Sequence, residues 1–274
     1  MAERQRILIK YGGNAMLNEE LKSEIIAKIS QLQNENFEII LVHGGGPFIE
    51  DILKRTAIES EFIDGHRKTT KEALKYIEMA LKGEVNSSLV NTLNKAGIKA
   101  VGLSGKDGSS VIAKKRMHIR EVDGKKEEID LGQVGDVSII NTDLITLLLK
   151  NNYLPVITCI ASDEDGVDYN INADMFAGHL AGALKATNYV VLTDVEGLME
   201  SLDKPESLIK EINLAEIEGL YGSIIKGGMI PKIESCSIAL KSGAKEACIL
   251  NGTRPAALSE KFLEKKSIGT RILN

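Results

Sequence analysis

Residues 6–13 read RILIKYGG, and this stretch decides the fold because it begins a unit that recurs along the chain. The apolar run at residues 6–10 predicts a buried strand, and the glycine pair after it predicts a turn. Residues 19–34 then carry apolar side chains at i, i+4, i+8 and i+11, namely Leu21, Ile25, Ile29 and Leu32. That spacing predicts a helix. A strand, a glycine turn and a helix in succession indicate an α/β protein with a buried, mostly parallel sheet.

The same unit recurs to the end of the chain. Further strands are predicted at residues 37–43, 98–102, 155–161, 189–193, 247–250 and 271–273. Further helices are predicted after Pro47 and at residues 143–150, 173–184, 214–221, 232–242 and 257–264. Thr69 and Glu72 have the spacing of a capping box, so they predict a long helix to about Asn94, broken near Gly83.

One segment departs from this unit. Residues 110–140 alternate in short runs around Asp123 and Gly124, which predicts an antiparallel hairpin beside the main sheet. A polar stretch near residues 162–172 breaks the apolar pattern. We therefore expect an open αβα sandwich with a mostly parallel central sheet and two lobes, residues 1–168 and 169–274.

Composition narrows the class of partner. The chain has 274 residues, a net charge of -5 and a pI of about 5.6, which argues against nucleic acid or an anionic membrane as the main partner. No apolar run approaches the roughly 20 residues of a membrane span, and no secretory segment follows Met1. The three separated cysteines, Cys159, Cys236 and Cys248, are expected to be buried free thiols. We expect a cytoplasmic protein.

Glycine clusters follow three of the predicted strands, at residues 12–13, 44–46 and 105–108. Glycine lets backbone N–H groups approach an anion, and the start of a helix adds a favourable dipole. Three clusters at successive strand ends predict an anionic or phosphorylated ligand.

The common motifs for such ligands are absent. Lys106 follows Gly105 as in a P-loop, but Asp107 comes next and Ala100 stands where the first glycine belongs. No G-x-G-x-x-G follows a strand. Residues 43–46 read HGGG, as in esterases, but no serine has glycine two positions before and after it, which argues against a hydrolase.

Phosphate chemistry without a P-loop requires other cations. Lys10 ends a buried strand beside glycines, and Lys232 lies in the glycine-rich entry to a helix. Arg67, placed before a helix, can bind a carboxylate through two hydrogen bonds. Residues 169–174 read YNINAD, in which two amides and a carboxylate suit a small anionic metabolite next to a phosphate donor.

Seven motifs occur in order: KYGGNAM at residues 10–16, VHGGGP at 42–47, GHRKTT at 65–70, GLSGKDG at 102–108, NINAD at 170–174, LTDVEG at 192–197 and GGMIPK at 227–232. Together they resemble the acetylglutamate kinases of the amino acid kinase family. The resemblance spans nearly the whole chain. It implies ATP-dependent phosphorylation of the side-chain carboxylate of N-acetyl-L-glutamate, with Mg²⁺ carried by the nucleotide and no protein metal site.

The resemblance also implies roles for residues. The N-terminal lobe would bind acetylglutamate and form a homodimer, and the C-terminal lobe would bind ATP. The catalytic residues would be Lys10, Lys232, Asp174, Gly13 and Gly45. The acetylglutamate-binding residues would be Gly45, Gly46, Arg67, Asn170 and Asn172. The nucleotide-binding residues would be Thr193, Asp194, Gly197, Met199, Ile224 and Lys226.

Two alternatives stay open at this point. The first is a sister kinase that acts on aminoadipate, glutamate, aspartate, carbamate or UMP, and the second is a non-catalytic amino-acid sensor with the same fold. Retention of Lys10, Asp174 and Lys232 favours an enzyme over a sensor. Because the first strand begins near Arg6, without the preceding helix of arginine-inhibited relatives, the resemblance implies a homodimer that is insensitive to arginine.

Overall fold

The computed structural model describes residues 4–12, 16–122, 125–201 and 203–274. The strands are β1 (Arg6–Tyr11), β2 (Glu38–His43), β3 (Glu61–Ile63), β4 (His66–Lys68), β5 (Ala100–Ser104), β6 (Val111–Val122), β7 (Lys125–Ile140), β8 (Leu154–Thr158), β9 (Ile160–Ser162), β10 (Asp168–Ile171), β11 (Asn188–Thr193), β12 (Glu211–Asn213), β13 (Glu246–Asn251) and β14 (Thr270–Leu273). The helices are α1 (Glu19–Asn34), α2 (Gly46–Arg55), α3 (Lys71–Glu78), α4 (Ser87–Lys95), α5 (Asp143–Lys150), α6 (Ala173–Ala183), α7 (Leu214–Ile217), α8 (Met229–Lys241) and α9 (Ala256–Phe262). A π-helical segment, Met79–Asn86, joins α3 to α4.

The main sheet has the strand order β12-β14-β13-β11-β1-β2-β8-β5. Its neighbouring strands are parallel except for β13 and β14, so the predicted mostly parallel sheet is confirmed. The first strand, β1, lies between β2 and β11 and is parallel to both. The order of strands in the sheet therefore changes direction at β1. Ligands of open α/β sheets bind at the carboxyl ends of strands beside such a switch point, and Lys10 lies at that end of β1.

Apolar side chains of β1 pack on both faces of the sheet. Ile7 and Ile9 lie in a cluster with side chains of α1 and α9, whereas Leu8 lies in the cluster that contains Phe176 of α6 and Ile233 of α8. Successive side chains of a strand point to opposite faces, so Lys10 projects on the same side as Leu8. Its ammonium group is therefore directed to the face that α6 and α8 cover.

A smaller sheet of β6, β7, β9 and β10 closes on itself beside the main sheet. The pairing of β6 with β7 is antiparallel from Val111 opposite Ile140 to Val122 opposite Lys125, which confirms the predicted excursion at residues 110–140. The predicted turn at Asp123 and Gly124 lies outside the described residues. Asn170 lies in β10, opposite Val134 of β7, and not in the loop that the sequence predicted.

Several predicted boundaries were wrong. The side chain of Thr70, not Thr69, caps α3 by accepting from the N–H of Ala73, because the backbone of Thr69 is hydrogen-bonded to the segment around Gly132. The helix does not break at Gly83 and continues as the π-helical segment. The strand predicted at residues 155–161 is interrupted at Cys159, where the chain passes from the main sheet to the smaller one.

The sequence prediction missed the hairpin of β3 and β4, which is short and largely exposed. Arg67 lies in β4, so it does not directly precede a helix as predicted. The division into lobes at residue 168 stays a prediction. None of the helices in the described part of the chain combines the length and the apolar character needed to cross a membrane.

Candidate active site

Two lysines and one carboxylate converge at the carboxyl end of β1. The Nζ atom of Lys10 lies 2.9 Å from Oδ1 of Asp174, in the first turn of α6. The Nζ atom of Lys232, in the first turn of α8, lies 3.3 Å from Oδ2 of the same carboxylate. The exposed fractions of the three side chains are 8% for Lys10, 8% for Asp174 and 18% for Lys232. The structure thus brings together three residues that are distant in the sequence.

Close packing of α6 against α8 makes this convergence possible. A Cβ atom at Gly178 would overlap the backbone carbonyl of Ser235, and one at Gly182 would overlap the side chain of Ser242. The two glycines, one helical turn apart, allow the axes of α6 and α8 to approach. Sequence reasoning missed this pair, although its four-residue spacing in a predicted helix was a visible signal.

The electrostatics of the cluster follow from burial and proximity. Burial raises the pKa of Asp174, but the charges of Lys10 and Lys232 outweigh it, so the pKa lies below its ordinary value. Burial lowers the pKa of Lys232, and repulsion from Lys10 lowers it further. With both lysines protonated and Asp174 ionised, the cluster carries one net positive charge, which favours an anionic ligand.

Two cavities open on either side of this cluster. The first, which we call the Arg67 cavity, has a volume of about 380 Å³, and the second, the Asp194 cavity, has about 570 Å³. Lys10, Gly12 and Lys232 line both of them. A ligand in each cavity would therefore meet the other at the two ammonium groups.

The predicted carboxylate-binding residues line the Arg67 cavity. These are Gly45, Gly46, Arg67, Asn170 and Asn172, with Gly44 beside them. The Oδ1 atom of Asn172 accepts from the N–H groups of Asp174 and Met175, so this amide also caps α6. Gly13 lies outside the described residues. Phe62 and His66 also line the cavity, and both were missed because their hairpin was not predicted.

Arg67 is held in place by three neighbours. Its Nη1 atom lies 2.8 Å from Oε2 of Glu50 and donates to Oγ of Ser60, and its guanidinium carbon lies 4.5 Å from the ring centre of Phe62. The hydrogen bond from Arg67 lowers the pKa of the exposed Glu50. Glu50 and the ring of Phe62 thus fix the orientation of the guanidinium. A guanidinium held in this way is suited to binding the carboxylate of a ligand in the Arg67 cavity.

The glycine loop, residues 44–46, forms the wall of the Arg67 cavity at the start of α2. A Cβ atom at Gly45 would overlap the side chain of Leu81, and one at Gly44 would lie 3.2 Å from Cβ of Ala173. The absence of a side chain at both positions therefore lets Leu81 and Ala173 pack closely against this loop. The first N–H groups of a helix have no partner inside it, so the start of α2 can donate to an anion.

The predicted nucleotide-binding residues line the Asp194 cavity. These are Thr193, Asp194, Gly197, Met199, Ile224 and Lys226. Leu198 and Met229 add apolar surface, and Glu200 and Thr253 add polar groups that the sequence prediction missed. Within residues 4–12, 16–122, 125–201 and 203–274, no group of three or more His, Cys, Asp or Glu residues could hold a metal ion.

Known proteins resemble this chain over nearly its whole length. Residues 5–251 match the amino acid kinase family. The chain belongs to the amino acid kinase family. It is 43% identical over 267 residues to the acetylglutamate kinase of Clostridium kluyveri, covering 97% of this chain and 91% of that protein. It is 42% identical over 267 residues to the acetylglutamate kinase of Methanocaldococcus jannaschii, covering 97% of this chain and 89% of that protein.

Solved structures of other proteins share the fold. The protein smu.665 of Streptococcus mutans is 27% identical with a TM-score of 0.78, covering 98% of each chain. Carbamate kinase of Giardia lamblia bound to AMP-PNP is 20% identical with a TM-score of 0.69, covering 100% of this chain and 99% of that chain. At that identity the second likeness shows the fold alone.

Proposed function

We propose that this amino acid kinase transfers the γ-phosphoryl group of ATP to the side-chain carboxylate of N-acetyl-L-glutamate, a step of arginine biosynthesis. The observation that carries the proposal is that Lys10 and Lys232, which line both cavities, are each paired with the carboxylate of Asp174. The full-length likeness to acetylglutamate kinases at 41–43% identity supports the choice of acceptor.

Each cavity suits one substrate. The Arg67 cavity offers a guanidinium, two amides and the glycine loop, which can bind the carboxylates and the amide of N-acetylglutamate. The Asp194 cavity is larger and has apolar side chains from Leu198, Met199 and Met229, which can contact a nucleotide base. In this arrangement the phosphates of ATP point toward the shared wall.

The reaction follows from this placement. The acceptor carboxylate is already a nucleophile, so no general base is needed. One of its oxygens forms a bond to the γ-phosphorus while the bond from that phosphorus to the β,γ-bridging oxygen breaks, and ADP leaves with the electron pair. Lys10 and Lys232 offset the negative charge of the two reactants. Asp174 pairs with both ammonium groups and holds them in position against their mutual repulsion.

Magnesium would be bound mainly by the nucleotide phosphates and by water, because the described residues offer no cage of carboxylates. When bound, it neutralises part of the phosphate charge. Asp194 lines the Asp194 cavity and offers a carboxylate that can contact that water shell.

The cellular setting is part of the same proposal. The protein acts in the cytoplasm, where ATP is available and the buried thiols of Cys159, Cys236 and Cys248 stay reduced. It acts as a homodimer without nucleic acid or membrane partners. Light scattering should give twice the chain mass of 29.8 kDa, and a monomer would contradict this part of the proposal.

A coupled ADP-release assay tests the activity. ADP formation should require N-acetyl-L-glutamate, and hydroxylamine should trap an acyl hydroxamate, because the product is an acyl phosphate. Glutamate, aminoadipate, aspartate, carbamate and UMP serve as comparison acceptors. Turnover only with one of these would identify a sister kinase, and ligand binding without ADP release would identify a sensor.

A further inference from the structure

We propose that His43 and Asn86 are positioning residues for the glycine loop, residues 44–46, acting through a single fixed tautomer of the His43 ring. This inference rests on the proposed phosphoryl transfer for its kinetic consequence. The hydrogen bonds on which it depends are present in the structure whichever reaction the protein catalyses.

The ring of His43 has one partner on each nitrogen. This last residue of β2 is fully buried, its Nδ1 atom lies 2.8 Å from the carbonyl oxygen of Gly44, and its Nε2 atom lies 2.9 Å from Nδ2 of Asn86. A carbonyl oxygen can only accept, so Nδ1 carries the hydrogen. The lone pair of Nε2 then accepts from the amide of Asn86.

The orientation of the Asn86 amide is also determined. Its Nδ2 atom lies 3.0 Å from the carbonyl oxygen of Val156 in β8, and the reverse orientation would place two oxygens against each other. A Cβ atom at Gly102 would overlap Oδ1 of Asn86, so this glycine of β5 provides the space for the amide. The amide is thereby held between two strands of the main sheet.

The π-helical segment Met79–Asn86 supports the glycine loop in a second place. Leu81 of that segment occupies the space where a Cβ atom of Gly45 would lie. The same segment therefore packs on Gly45 through Leu81 and holds the carbonyl of Gly44 through Asn86 and His43. The wider turn of a π-helix recurs at functional sites.

The charge state of His43 suits this role. Burial is the main reason that the pKa of His43 is lowered to about 4; the hydrogen bond to Gly44 opposes this shift, and the nearby charge of Lys82 adds to it. A neutral ring at physiological pH keeps one donor and one acceptor. The carbonyl of Gly44 is hydrogen-bonded to a buried ring and is therefore directed away from the Arg67 cavity. If its oxygen faced that cavity, it would repel an anionic ligand.

Nitrogen-15 NMR of the four histidines in the full-length protein tests the tautomer directly. His43 should show a protonated Nδ1 and a bare Nε2 at neutral pH, with its signals assigned from the His43→Asn variant. A protonated Nε2, or a ring protonated on both nitrogens, would overturn the proposal. This spectrum needs only the wild-type fold and does not depend on the activity.

Kinetics test the positioning role. Asn86→Ala should lower kcat for phosphoryl transfer by about tenfold or more, on the scale of a displaced reacting group, while the KM for ATP stays within about twofold. It should also change the Nε2 chemical shift of His43. The matched control is Asn94→Ala in α4, whose Oδ1 atom accepts from the N–H of Ala100 far from the loop and which should leave kcat unchanged.

A pair of His43 variants separates positioning from simple packing. His43→Asn keeps an N–H donor near Gly44 and should retain more of kcat than His43→Leu, which removes both hydrogen bonds. Equal kcat values for these two variants, or wild-type kcat in Asn86→Ala, would overturn the positioning role. Absence of acetylglutamate phosphorylation in the wild type would instead refute the proposed function, and the NMR result would still decide the tautomer.

Discussion

The two cavities differ in how they can recognise a ligand. The Arg67 cavity is built from strand ends, a hairpin and the start of α2, and it presents a guanidinium, amides and backbone groups. The Asp194 cavity is built largely from the connections that follow β11 and precede α8, and it presents more apolar surface. Among the residues that the structure describes, those that line both cavities are Lys10, Gly12 and Lys232. Recognition is thus divided between two regions, and the charge for catalysis lies where they meet.

Removing a shared group should have the largest effect. Lys10→Ala should lower kcat by about a hundredfold or more, because the ammonium stabilises charge that develops in the transition state, with modest changes in both KM values. Steady-state kinetics with each substrate varied would measure this. The matched control is Lys22→Ala, a buried lysine in an ion pair with Glu19, outside both cavities. Wild-type turnover in Lys10→Ala would remove this residue from the mechanism.

A change confined to the Arg67 cavity should affect one substrate. Arg67→Lys should raise the KM for N-acetylglutamate by about tenfold or more, since a lysine cannot make the paired hydrogen bonds of a guanidinium. The KM for ATP should stay within about twofold. Arg55→Lys, in an exposed ion pair with Asp51, is the control and should change neither value. Parallel increases in both KM values would contradict the division between the cavities.

Separating α6 from α8 should disturb the shared wall. Gly178→Ala should lower kcat by about tenfold and the free energy of unfolding by about 1–3 kcal/mol, because its Cβ atom overlaps the Ser235 backbone. Kinetics and urea unfolding would measure the two effects. Gly83→Ala is the control, since its Cβ atom would meet no atom within 4 Å. Equal behaviour of the two variants would show that helix proximity does not position Lys232.

A substitution confined to the Asp194 cavity should have a smaller effect on the kinetics. Met229→Ala should raise the KM for ATP several-fold, by loss of apolar contact worth about 1 kcal/mol, and leave the KM for N-acetylglutamate unchanged. Kinetics with ATP as the varied substrate would measure it. An effect on the acetylglutamate KM alone would reverse the assignment of the cavities.

The smallest effect concerns acid stability. The pKa of Asp174 is lower in the folded state than in the unfolded state, where it is about 4. The ionised carboxylate therefore stabilises the folded protein at pH values above about 4. This stabilisation is lost as the pH falls through the pKa of Asp174 in the folded state. The difference in unfolding free energy between wild type and Asp174→Asn should therefore narrow below about pH 4. Urea unfolding at several pH values would measure it, and a constant difference would contradict the ionised state of Asp174.

Much of the local structure could be predicted from single segments. The helix at residues 19–34 was predicted with the observed bounds because its apolar spacing reports the burial of one face. The hairpin of β6 and β7 was recognised from alternation. The short strands β3, β4 and β10 and the π-helical segment were missed, because so few residues carry little periodicity and their pairing depends on distant chain segments.

The candidate site, too, could be predicted only in part from the sequence. Residue types beside glycine turns, together with the ordered motifs, indicated Lys10, Asp174, Lys232 and Arg67. Nothing in those patterns measured the distances between them. The hydrogen bonds of Asn86 to His43 and Val156 were invisible, because each side chain is ordinary by itself and they meet only across three elements.

The sequence by itself determined the alternation of strands and helices, the glycine turns and the chemical groups available to bind anions, since each depends on neighbouring residues. Only the tertiary structure decided that β1 lies between β2 and β11, and that α6 and α8 approach closely enough for two lysines to share one carboxylate. Such contacts join segments far apart in the chain, and their free energy depends on packing that no local pattern records.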